Sequence, residues 1–310
     1  MSRVLITGVN GFVGHHLAHE LSAQGYEVVG VGRESAPATG LGSILKEYVP
    51  CDLTKSEDVS RLPFSELDAV INLAGLAAVG QSFDNPKLYM DVNVAVLSVM
   101  CDQIEKLGLK NLRVVAISSG AVYASSQEMP LTESSKTDAD SSPYSASKLA
   151  METYAKEFKK KGYDCVIARP FNHIGPGQLG GFLLPDLYEK LQLSPDGVLR
   201  VGNLQTERDY TDVRDVAKAY IALATSEKLT HDTYNVCTGR AISGERLLKT
   251  LADASHKTDV KVVVDDKLFR PSDSPILFGD NSRLKEDTEW SPAIPLEQSV
   301  ADFVRWKEAN

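Results

Sequence analysis

Arg3-Val4-Leu5-Ile6-Thr7-Gly8-Val9-Asn10-Gly11-Phe12-Val13-Gly14 is the stretch that decides the fold of this chain. Residues 3–7 are mostly apolar and rich in branched side chains, which predicts a buried strand. Glycines follow at every third position, and a helical pattern comes next, with Phe12, Leu17 and Leu21 on its inner face. Strand, glycine turn and helix in this order are typical of a dinucleotide-binding unit, although such a turn can also serve packing alone.

Each glycine has a separate expected task in such a unit. Gly8 makes the tight turn, Gly11 lets the backbone approach a pyrophosphate, and Gly14 lets helix and strand pack closely. The free N–H groups and positive partial charge at the helix N-terminus would attract the phosphates. The spacing Gly-x-x-Gly-x-x-Gly is one residue longer at its start than Gly-x-Gly-x-x-Gly.

Strands and helices alternate through the first half of the chain. The patterns predict strands over 26–31, 47–51, 68–73, 112–117 and 164–168, and helices over 57–62, 86–107 and 144–161. This alternation predicts an α/β fold with a Rossmann-type doubly wound parallel sheet, formed by residues 1–171, with 203–236 packing back on it. Loops rich in glycine and proline after residue 169, and helices over 183–193, 244–254 and 295–307, predict a smaller C-terminal α/β substrate lobe. That lobe would comprise 172–202 and 237–310, and the polar stretch 125–142 predicts a surface loop.

Composition narrows the class of protein. A net charge of −9 over 310 residues argues against nucleic acid as a partner. No apolar run reaches the roughly 18 residues that a membrane span needs, and the first predicted strand begins at residue 3, so we expect a cytoplasmic protein. The cysteines lack metal-ligand spacing, and no carboxylate cluster accompanies His15, His16 and His19, so we expect no metal site.

A tyrosine and a lysine stand four residues apart in Tyr144-Ser145-Ala146-Ser147-Lys148, on a predicted helix. Positions i and i+4 share one helix face. A free tyrosine, with a pKa of about 10, transfers protons poorly near pH 7, and a neighbouring ammonium favours the phenolate. A solvated helix face is the alternative interpretation when this pattern stands alone.

Two serines, Ser118 and Ser119, follow the predicted strand over 112–117. The carboxyl ends of strands in a doubly wound sheet line the ligand crevice. A serine there can hydrogen-bond a substrate oxygen that Tyr144 also reaches. The alternative is a serine that only caps a turn.

These features in this order resemble the short-chain dehydrogenase/reductase superfamily, and more narrowly its extended, nucleotide-sugar-modifying branch. The resemblance covers essentially the whole chain. The motifs that carry it are Thr7-Gly8-x-x-Gly11-Phe12-Val13-Gly14, Asn72-Leu73-Ala74-Gly75, Ser118-Ser119, Tyr144-x-x-x-Lys148, Arg169-Pro170-Phe171-Asn172-His173-Ile174-Gly175-Pro176-Gly177-Gln178, Arg208-Asp209-Tyr210-Thr211-Asp212-Val213 and Arg270-Pro271-Ser272-Asp273. The last three look most like the GDP-mannose 4,6-dehydratase and GDP-6-deoxy-4-ketomannose reductase group.

The resemblance implies an NAD(P)-dependent oxidoreductase that acts on a nucleotide sugar and forms a homodimer. It implies that Tyr144 donates a proton to a C4 carbonyl oxygen, that Ser119 hydrogen-bonds this oxygen, and that Lys148 orients the nicotinamide ribose and lowers the tyrosine pKa. Ser119 is expected over Ser118 because it lies four residues before Tyr123, where the family pattern has its serine or threonine. The family usually has glycine after that tyrosine, and this chain has Ala124.

The resemblance also implies binding residues. Expected cofactor contacts are Gly8, Gly11, Phe12, Val13, Gly14, Asp52, Leu53, Leu73, Ala74, Gly75, Asn93, Tyr144 and Lys148. Asp52 fits the position that hydrogen-bonds the adenine, with an acid at a helix N-terminus as the alternative. Expected substrate contacts are Asn172, Arg208 and Arg270, since the arginine fork matches phosphate oxygens; a structural loop asparagine and surface ion pairs are the alternatives.

The end of the second predicted strand bears on the choice of cofactor. Proteins that prefer NAD place an acid there, about 20 residues past the glycines, to hold the ribose 2′-hydroxyl. Gly30-Val31-Gly32-Arg33 has no acid before Arg33, which could bind a 2′-phosphate with its planar fork. Glu34 follows, and an acid at this place would instead favour NAD(H). NADP(H) is therefore favoured, with NAD(H) as the alternative.

The residues before Tyr123 bear on the reaction type. Dehydratases of this group carry one or two acids there, whereas this chain has Gly120 and Ala121, which cannot protonate a leaving hydroxyl. We therefore expect an NADPH-dependent reductase of the C4 keto group of a nucleotide-linked 4-keto-6-deoxyhexose, with GDP as the expected nucleotide. A nucleotide-sugar 4-epimerase or 4,6-dehydratase of the same family is the alternative. A non-catalytic, NADP-sensing Rossmann protein is the alternative from another class, although such proteins can lack the tyrosine–lysine pair that this chain keeps.

Overall fold

The computed structural model of this protein describes residues 2–125, 127–193, 198–265 and 274–310. Its strands are β1 (Arg3–Thr7), β2 (Glu27–Gly32), β3 (Glu47–Pro50), β4 (Ala69–Asn72), β5 (Arg113–Ile117), β6 (Cys165–Pro170), β7 (Asn172–Ile174), β8 (Val198–Val201), β9 (Glu207–Arg208), β10 (Tyr210–Asp212), β11 (Thr233–Val236), β12 (Ile242–Ser243), β13 (Lys261–Val264) and β14 (Ile276–Leu277). Its helices are α1 (Phe12–Ala23), α2 (Ser56–Val59), α3 (Val79–Asp84), α4 (Pro86–Lys106), α5 (Pro143–Lys160), α6 (Leu183–Gln192), α7 (Val213–Thr225), α8 (Gly244–Ala254), α9 (Ser282–Thr288) and α10 (Leu296–Ala309). Short 3₁₀ turns occupy Phe64–Glu66 and Gly120–Val122.

A seven-stranded parallel sheet with the order β11-β6-β5-β4-β1-β2-β3 organises the larger part of the described chain. The chain moves outward from β1 through β2 to β3, and then returns to add β4, β5 and β6 on the other side of β1. This reversal opens a crevice at the carboxyl ends of β1 and β4, where ligands bind in such sheets. The predicted α/β doubly wound sheet is confirmed, and the predicted strands agree with the observed bounds within a residue or two.

Helices cover both faces of this sheet. On one face α1 packs against α7, with Leu17, Leu21 and Leu223 fully buried between them and the strands. On the other face α4 packs against α5, with Leu97 and Phe158 in the core. Burial on both faces explains why the strands are near-continuous apolar runs rather than alternating ones.

A second, smaller core lies in the C-terminal part of the chain. The helices α6, α8 and α10 bury Leu187, Leu247 and Phe303 together with residues of the β8–β13 pair. Two small pairings link this core to the larger sheet, because β7 and β10 are parallel partners and β9 pairs with β12 and β14. Within the described ranges, no helix is both long enough and apolar enough to cross a membrane.

The stretch 125–142 is more deeply anchored than a surface loop. Leu131 is fully buried and bridges to Gly279, and the Glu133 side chain is only 2% exposed. Tyr123 bridges to Thr137 across the stretch. The expectation of a surface loop is therefore wrong for this middle part, because two buried side chains tie it to the end of the sheet.

Candidate active site

The glycine positions of the turn at the end of β1 do not tolerate side chains. Gly8 has a φ of +66°, a left-handed conformation that strains other residues. A Cβ atom on Gly14 would lie 2.4 Å from the Gly8 carbonyl oxygen, so α1 could not pack as it does. The N-cap of α1, Gly11, offers no side-chain hydrogen bond, which leaves N–H groups of the first turn available. This cradle fits a dinucleotide pyrophosphate.

A hydroxyl ties the glycine turn to the neighbouring strand β4. The Thr7 Oγ1 donates to Asn72 Oδ1 at 2.7 Å and accepts from the Ala74 N–H at 3.0 Å. These bonds cross the point where the strand order reverses. They bring the backbone of Leu73, Ala74 and Gly75, predicted as cofactor contacts, next to Gly8.

The start of α5 is set by local sequence. The Ser142 hydroxyl caps the helix by accepting from the Ser145 N–H, and Pro143 occupies the first turn. Asn93 of α4 then locks α5 in place, since its amide donates to Ser147 Oγ at 2.9 Å and to the Leu76 carbonyl oxygen at 3.2 Å. Its Oδ1 accepts from the Leu76 N–H at 2.7 Å. Asn93, predicted as a cofactor contact, thus holds α4, α5 and the loop after β4 together.

Tyr144 and Lys148 lie side by side on α5, and both are buried. The Lys148 Nζ donates to the Ile117 carbonyl oxygen at 2.8 Å and lies 5.9 Å from the centre of the Tyr144 ring. Burial lowers the pKa of Lys148 to about 8, against the opposing charge of Glu152. Burial also raises the pKa of Tyr144 to about 12, although a hydrogen bond with Ser119 lowers it. The expected lowering of the tyrosine pKa by the lysine is therefore wrong for this geometry, because burial dominates and Nζ is engaged with Ile117.

The two serines after β5 point to different partners. Ser119 caps the 3₁₀ turn by accepting from the Ala121 N–H at 3.1 Å, and its side chain opposes the burial that raises the pKa of Tyr144. Ser118 donates to Glu152 Oε1 at 2.6 Å in the buried interior. Of the two serines, only Ser119 therefore acts on the pKa of Tyr144, and it does so while it caps the turn.

The adenosine end of the crevice carries opposing charges at the end of β2. Arg33 is exposed. The Glu34 carboxylate accepts from Asn10 Nδ2 at 2.8 Å, which places it against the glycine turn. Tyr48 OH donates to the Glu34 carbonyl oxygen at 2.8 Å. Sequence reasoning missed Asn10 and Tyr48, whose contact with Glu34 depends on the pairing of β2 with β3.

Asp52 and Leu53 follow β3, the strand that pairs with β2. Asp52 Oδ1 accepts from the Thr54 N–H at 3.1 Å and from Thr54 Oγ1 at 2.7 Å, and these bonds lower the pKa of its carboxyl group. Leu53 is buried. Asp52 thus shapes its own turn ahead of α2, which begins at Ser56.

The structure describes two of the three predicted substrate contacts. Asn172 is exposed at the start of β7 and pairs with Tyr210 of β10. Arg208, two residues before Tyr210, is half-buried in β9 and donates from Nη1 to the Glu207 carbonyl oxygen at 2.7 Å. The strand pairing thus brings the two motifs together, and Arg270 lies outside the described residues.

An aromatic contact joins the glycine helix to the segment after Asn172. The Phe12 and His173 rings stack with centroids 6.0 Å apart, and His16 Nε2 donates to the Pro176 carbonyl oxygen at 2.7 Å. Burial lowers the pKa of both histidines. Sequence reasoning missed this contact, because it joins residues about 160 positions apart. Among the described residues, no cluster of three or more His, Cys, Asp or Glu side chains could hold a metal ion.

The fold and this arrangement of glycine turn, serine, tyrosine and lysine define a short-chain dehydrogenase/reductase. Comparison with known proteins narrows the class. The model of the family described as GDP-mannose 4,6 dehydratase matches residues 5–303. The chain therefore belongs to the GDP-mannose 4,6-dehydratase family, a family of enzymes, and the prediction of an enzyme is confirmed.

Individual relatives carry different activities. The chain is 30% identical to the GDP-6-deoxy-D-mannose reductase of Pseudomonas aeruginosa, over 96% of this chain and 94% of the relative. It is 29% identical to the UDP-glucose 4-epimerase of Bacillus subtilis, over 99% and 97%. Among solved structures, RMD from Pseudomonas aeruginosa complexed with NADPH superposes with a TM-score of 0.84 at 28% identity, covering 100% of both chains. The proteins that this chain resembles thus include both a reductase and an epimerase.

Proposed function

We propose that this protein is an NADPH-dependent reductase of the C4 keto group of a nucleotide-linked 4-keto-6-deoxyhexose, with GDP as the nucleotide. The observation that carries the proposal is the convergence of Ser119, Tyr144 and Lys148 at the end of β5, where Lys148 Nζ bonds the Ile117 carbonyl oxygen and Gly120 and Ala121 follow Ser119. Two hydroxyls on one oxygen suit reduction of a carbonyl group. The similarity to a GDP-6-deoxy-D-mannose reductase supports the choice of substrate.

The chain's own residues would divide the work as follows. The glycine turn, the start of α1 and Leu73–Gly75 would hold the dinucleotide, and its nicotinamide would supply the hydride chemistry when bound. Tyr144 would give its proton to the C4 oxygen, and Ser119 would donate a hydrogen bond to the same oxygen. With a pKa of about 12, Tyr144 is protonated at neutral pH, which is the form that a proton donor must have. Lys148, which lies beside Tyr144, would orient the nicotinamide ribose.

Elimination of water is the less suited reaction. A dehydratase needs an acid near the leaving hydroxyl, and neither Gly120 nor Ala121 can supply one. The neighbouring stretch carries Glu133, but its carboxylate accepts from the Asn235 N–H at 2.7 Å and pairs with Arg283 at 3.3 Å. Glu152, also near β5, is paired with Arg169 at 2.6 Å. Both carboxylates are therefore committed to contacts inside the protein.

A 4-epimerase is the second candidate, and Glu34 favours it. An acid at the end of β2 suits the ribose 2′-hydroxyl of NAD and repels a 2′-phosphate. A 4-epimerase holds NAD tightly and returns the hydride, and the similarity to a UDP-glucose 4-epimerase points the same way. Arg33, the residue before Glu34, favours NADPH and so favours the reductase.

The remaining roles belong to the same proposal. Asn172 and Arg208, with Arg270, would contact the nucleotide sugar, and the lobe built on α6, α8 and α10 would enclose it. Asp52 would face the adenine. The packed helices α4 and α5 would form the interface of a homodimer, which light scattering in solution would detect as twice the mass of the chain.

The test is to supply NADPH with 4-keto-6-deoxyhexoses linked to GDP, UDP or dTDP and to identify the products by NMR. We expect one NADP⁺ per sugar reduced at C4, with the GDP-linked sugar turned over fastest. Interconversion of C4 epimers without loss of NADPH would replace the proposal by the epimerase. Formation of a 4-keto-6-deoxy sugar from GDP-mannose would replace it by the dehydratase.

A further inference from the structure

A buried ion pair lies directly behind the proposed proton-transfer pair. Glu152 sits one helical turn after Lys148 on α5, and Arg169 stands near the end of β6. Arg169 Nε and Nη2 donate to the two carboxylate oxygens of Glu152 at 2.7 and 2.6 Å. The Glu152 side chain is 1% exposed and the Arg169 side chain is 4% exposed. An ion pair removed from water to this extent is costly to form, and removal of one partner is strongly destabilising.

The Glu152 carboxylate also connects three elements of the site. Its Oε1 accepts from Ser118 Oγ at 2.6 Å, and Ser118 is the residue before Ser119. The Arg169 guanidinium lies 4.9 Å from the centre of the Tyr123 ring and donates from Nη1 to the Glu133 carbonyl oxygen at 3.3 Å. Glu152 thus fixes α5, which carries Tyr144 and Lys148, against the strand ends that carry Ser119 and Arg169.

We propose that Glu152, balanced by Arg169, is a positioning residue for the reaction: it holds Ser119 and Lys148 in register with Tyr144. This inference rests on the proposed function, because it assigns Glu152 and Arg169 a part in the same chemistry. Neither residue touches the reacting atoms. They act through Lys148 and through the end of β5.

The charges around Lys148 show why this pair matters. On its own helix Lys148 faces Tyr144 and Glu152, and the Tyr89 ring of α4 packs edge-on against Tyr144. Glu152 is the described charged group that raises the pKa of Lys148, against burial that lowers it to about 8. Because this value lies so near neutral pH, a modest change in local charge alters how much ammonium is present. Arg169 is a cation paired with the same carboxylate at 2.6 Å.

Two single substitutions should therefore act in opposite directions. Glu152→Gln keeps an acceptor for Ser118 but removes the negative charge and leaves the Arg169 cation beside Lys148. Arg169→Gln removes the cation and leaves Glu152 unbalanced. If turnover needs the Lys148 ammonium, kcat should fall as pH rises and the ammonium loses its proton. This alkaline limb of the pH profile of kcat should move to lower pH by about one pH unit in Glu152→Gln, and to higher pH in Arg169→Gln. The double substitution should bring the limb back toward the wild-type position.

The experiment measures kcat from pH 6 to pH 10 for the wild type, the three variants and Asp164→Asn, with the sugar that the wild-type panel identifies. Asp164→Asn is the matched control, because it breaks an ion pair with Arg113 (2.9 Å) at the opposite end of β5 and should leave the limb in place. Opposite movements of the limb support the proposal. An unmoved limb in either folded single variant, or movement of both in one direction, overturns it. Either single variant decides the question if the other fails to fold, and absence of wild-type turnover with every sugar counts against the proposed function instead.

Discussion

The Lys148 ammonium donates to the main-chain carbonyl oxygen of Ile117 at 2.8 Å, across the junction of α5 and β5. This bond fixes the lysine at the end of the strand that leads into Ser119. Burial moves the two members of the pair in opposite senses, with the pKa of Lys148 lowered to about 8 and that of Tyr144 raised to about 12. At neutral pH the site therefore holds a phenol next to an ammonium, which is the arrangement a carbonyl reductase requires.

The pH dependence of turnover should follow Lys148 first. As pH rises through about 8, the ammonium loses its proton while Tyr144, with a pKa of about 12, keeps its own. We expect kcat to fall on this alkaline side, measured from pH 6 to pH 10 at saturating NADPH. Lys148→Arg stays charged throughout, so any residual activity of that variant should lack the limb. A wild-type profile that is flat between pH 7 and pH 9.5 would contradict this assignment.

Removal of the Tyr144 hydroxyl should nearly abolish turnover. Tyr144→Phe keeps the ring that packs against Tyr89 but cannot donate a proton, so kcat should fall by about 10³-fold or more. NADPH binding, followed by fluorescence titration, should stay within a few-fold of the wild type. Tyr163→Phe is the control, because it loses a buried hydroxyl that bonds the Glu105 carbonyl oxygen at 3.2 Å, away from the site. Unchanged turnover in Tyr144→Phe would sink the mechanism.

The adjacent serines offer a paired test. Ser119→Ala removes the hydroxyl that would donate to the C4 oxygen, and loss of one donor to a developing oxyanion should lower kcat by about 100-fold. Ser118→Ala removes a bond to Glu152, so it should lower the free energy of unfolding by about 1–2 kcal/mol with a smaller loss of kcat. Steady-state kinetics and urea unfolding on both variants separate the two effects. A larger loss of kcat in Ser118→Ala than in Ser119→Ala would contradict the assignment of Ser119 as the donor.

Sequence reasoning was most successful where the signal is local. The strand, glycine turn and helix over residues 3–23 were predicted closely, because the apolar run, the glycine spacing and the helical pattern are properties of neighbouring residues. The choice of Ser119 rested on a resemblance and could not include the reason that Ser118 turns inward, since Glu152 lies 34 positions away. The pKa of Tyr144 was expected to move down and is raised, because its burial, in part by Tyr89 of α4, is a property of the assembled fold. Contacts such as Phe12 with His173 depend wholly on tertiary packing.

Arg33 and Glu34 should set the choice of cofactor between them. Arg33→Ala should weaken NADPH binding by about 10–100-fold and leave NADH binding nearly unchanged, since only the 2′-phosphate needs a cation. Glu34→Gln should improve NADPH relative to NADH, because it removes a carboxylate that Asn10 holds against the glycine turn. Dissociation constants for both cofactors, measured by fluorescence titration, give the ratio. An unchanged ratio in Arg33→Ala would place the 2′-phosphate elsewhere and would favour an NAD-dependent epimerase.

The buried His173 should make the protein less stable in acid. Burial beside Phe12 lowers its pKa in the folded state below the ordinary value of 6.5. As pH falls below 6.5 the unfolded chain therefore binds the proton first, so this stabilisation is complete above that pH and is lost as pH falls through the folded pKa. His173→Phe keeps an aromatic ring but cannot titrate, so its loss of unfolding free energy between pH 7.5 and pH 5 should be smaller than in the wild type. Urea unfolding at the two pH values measures the difference, and His256→Asn at an exposed histidine is the control. Equal losses in His173→Phe and the wild type would show that His173 does not carry this pH dependence.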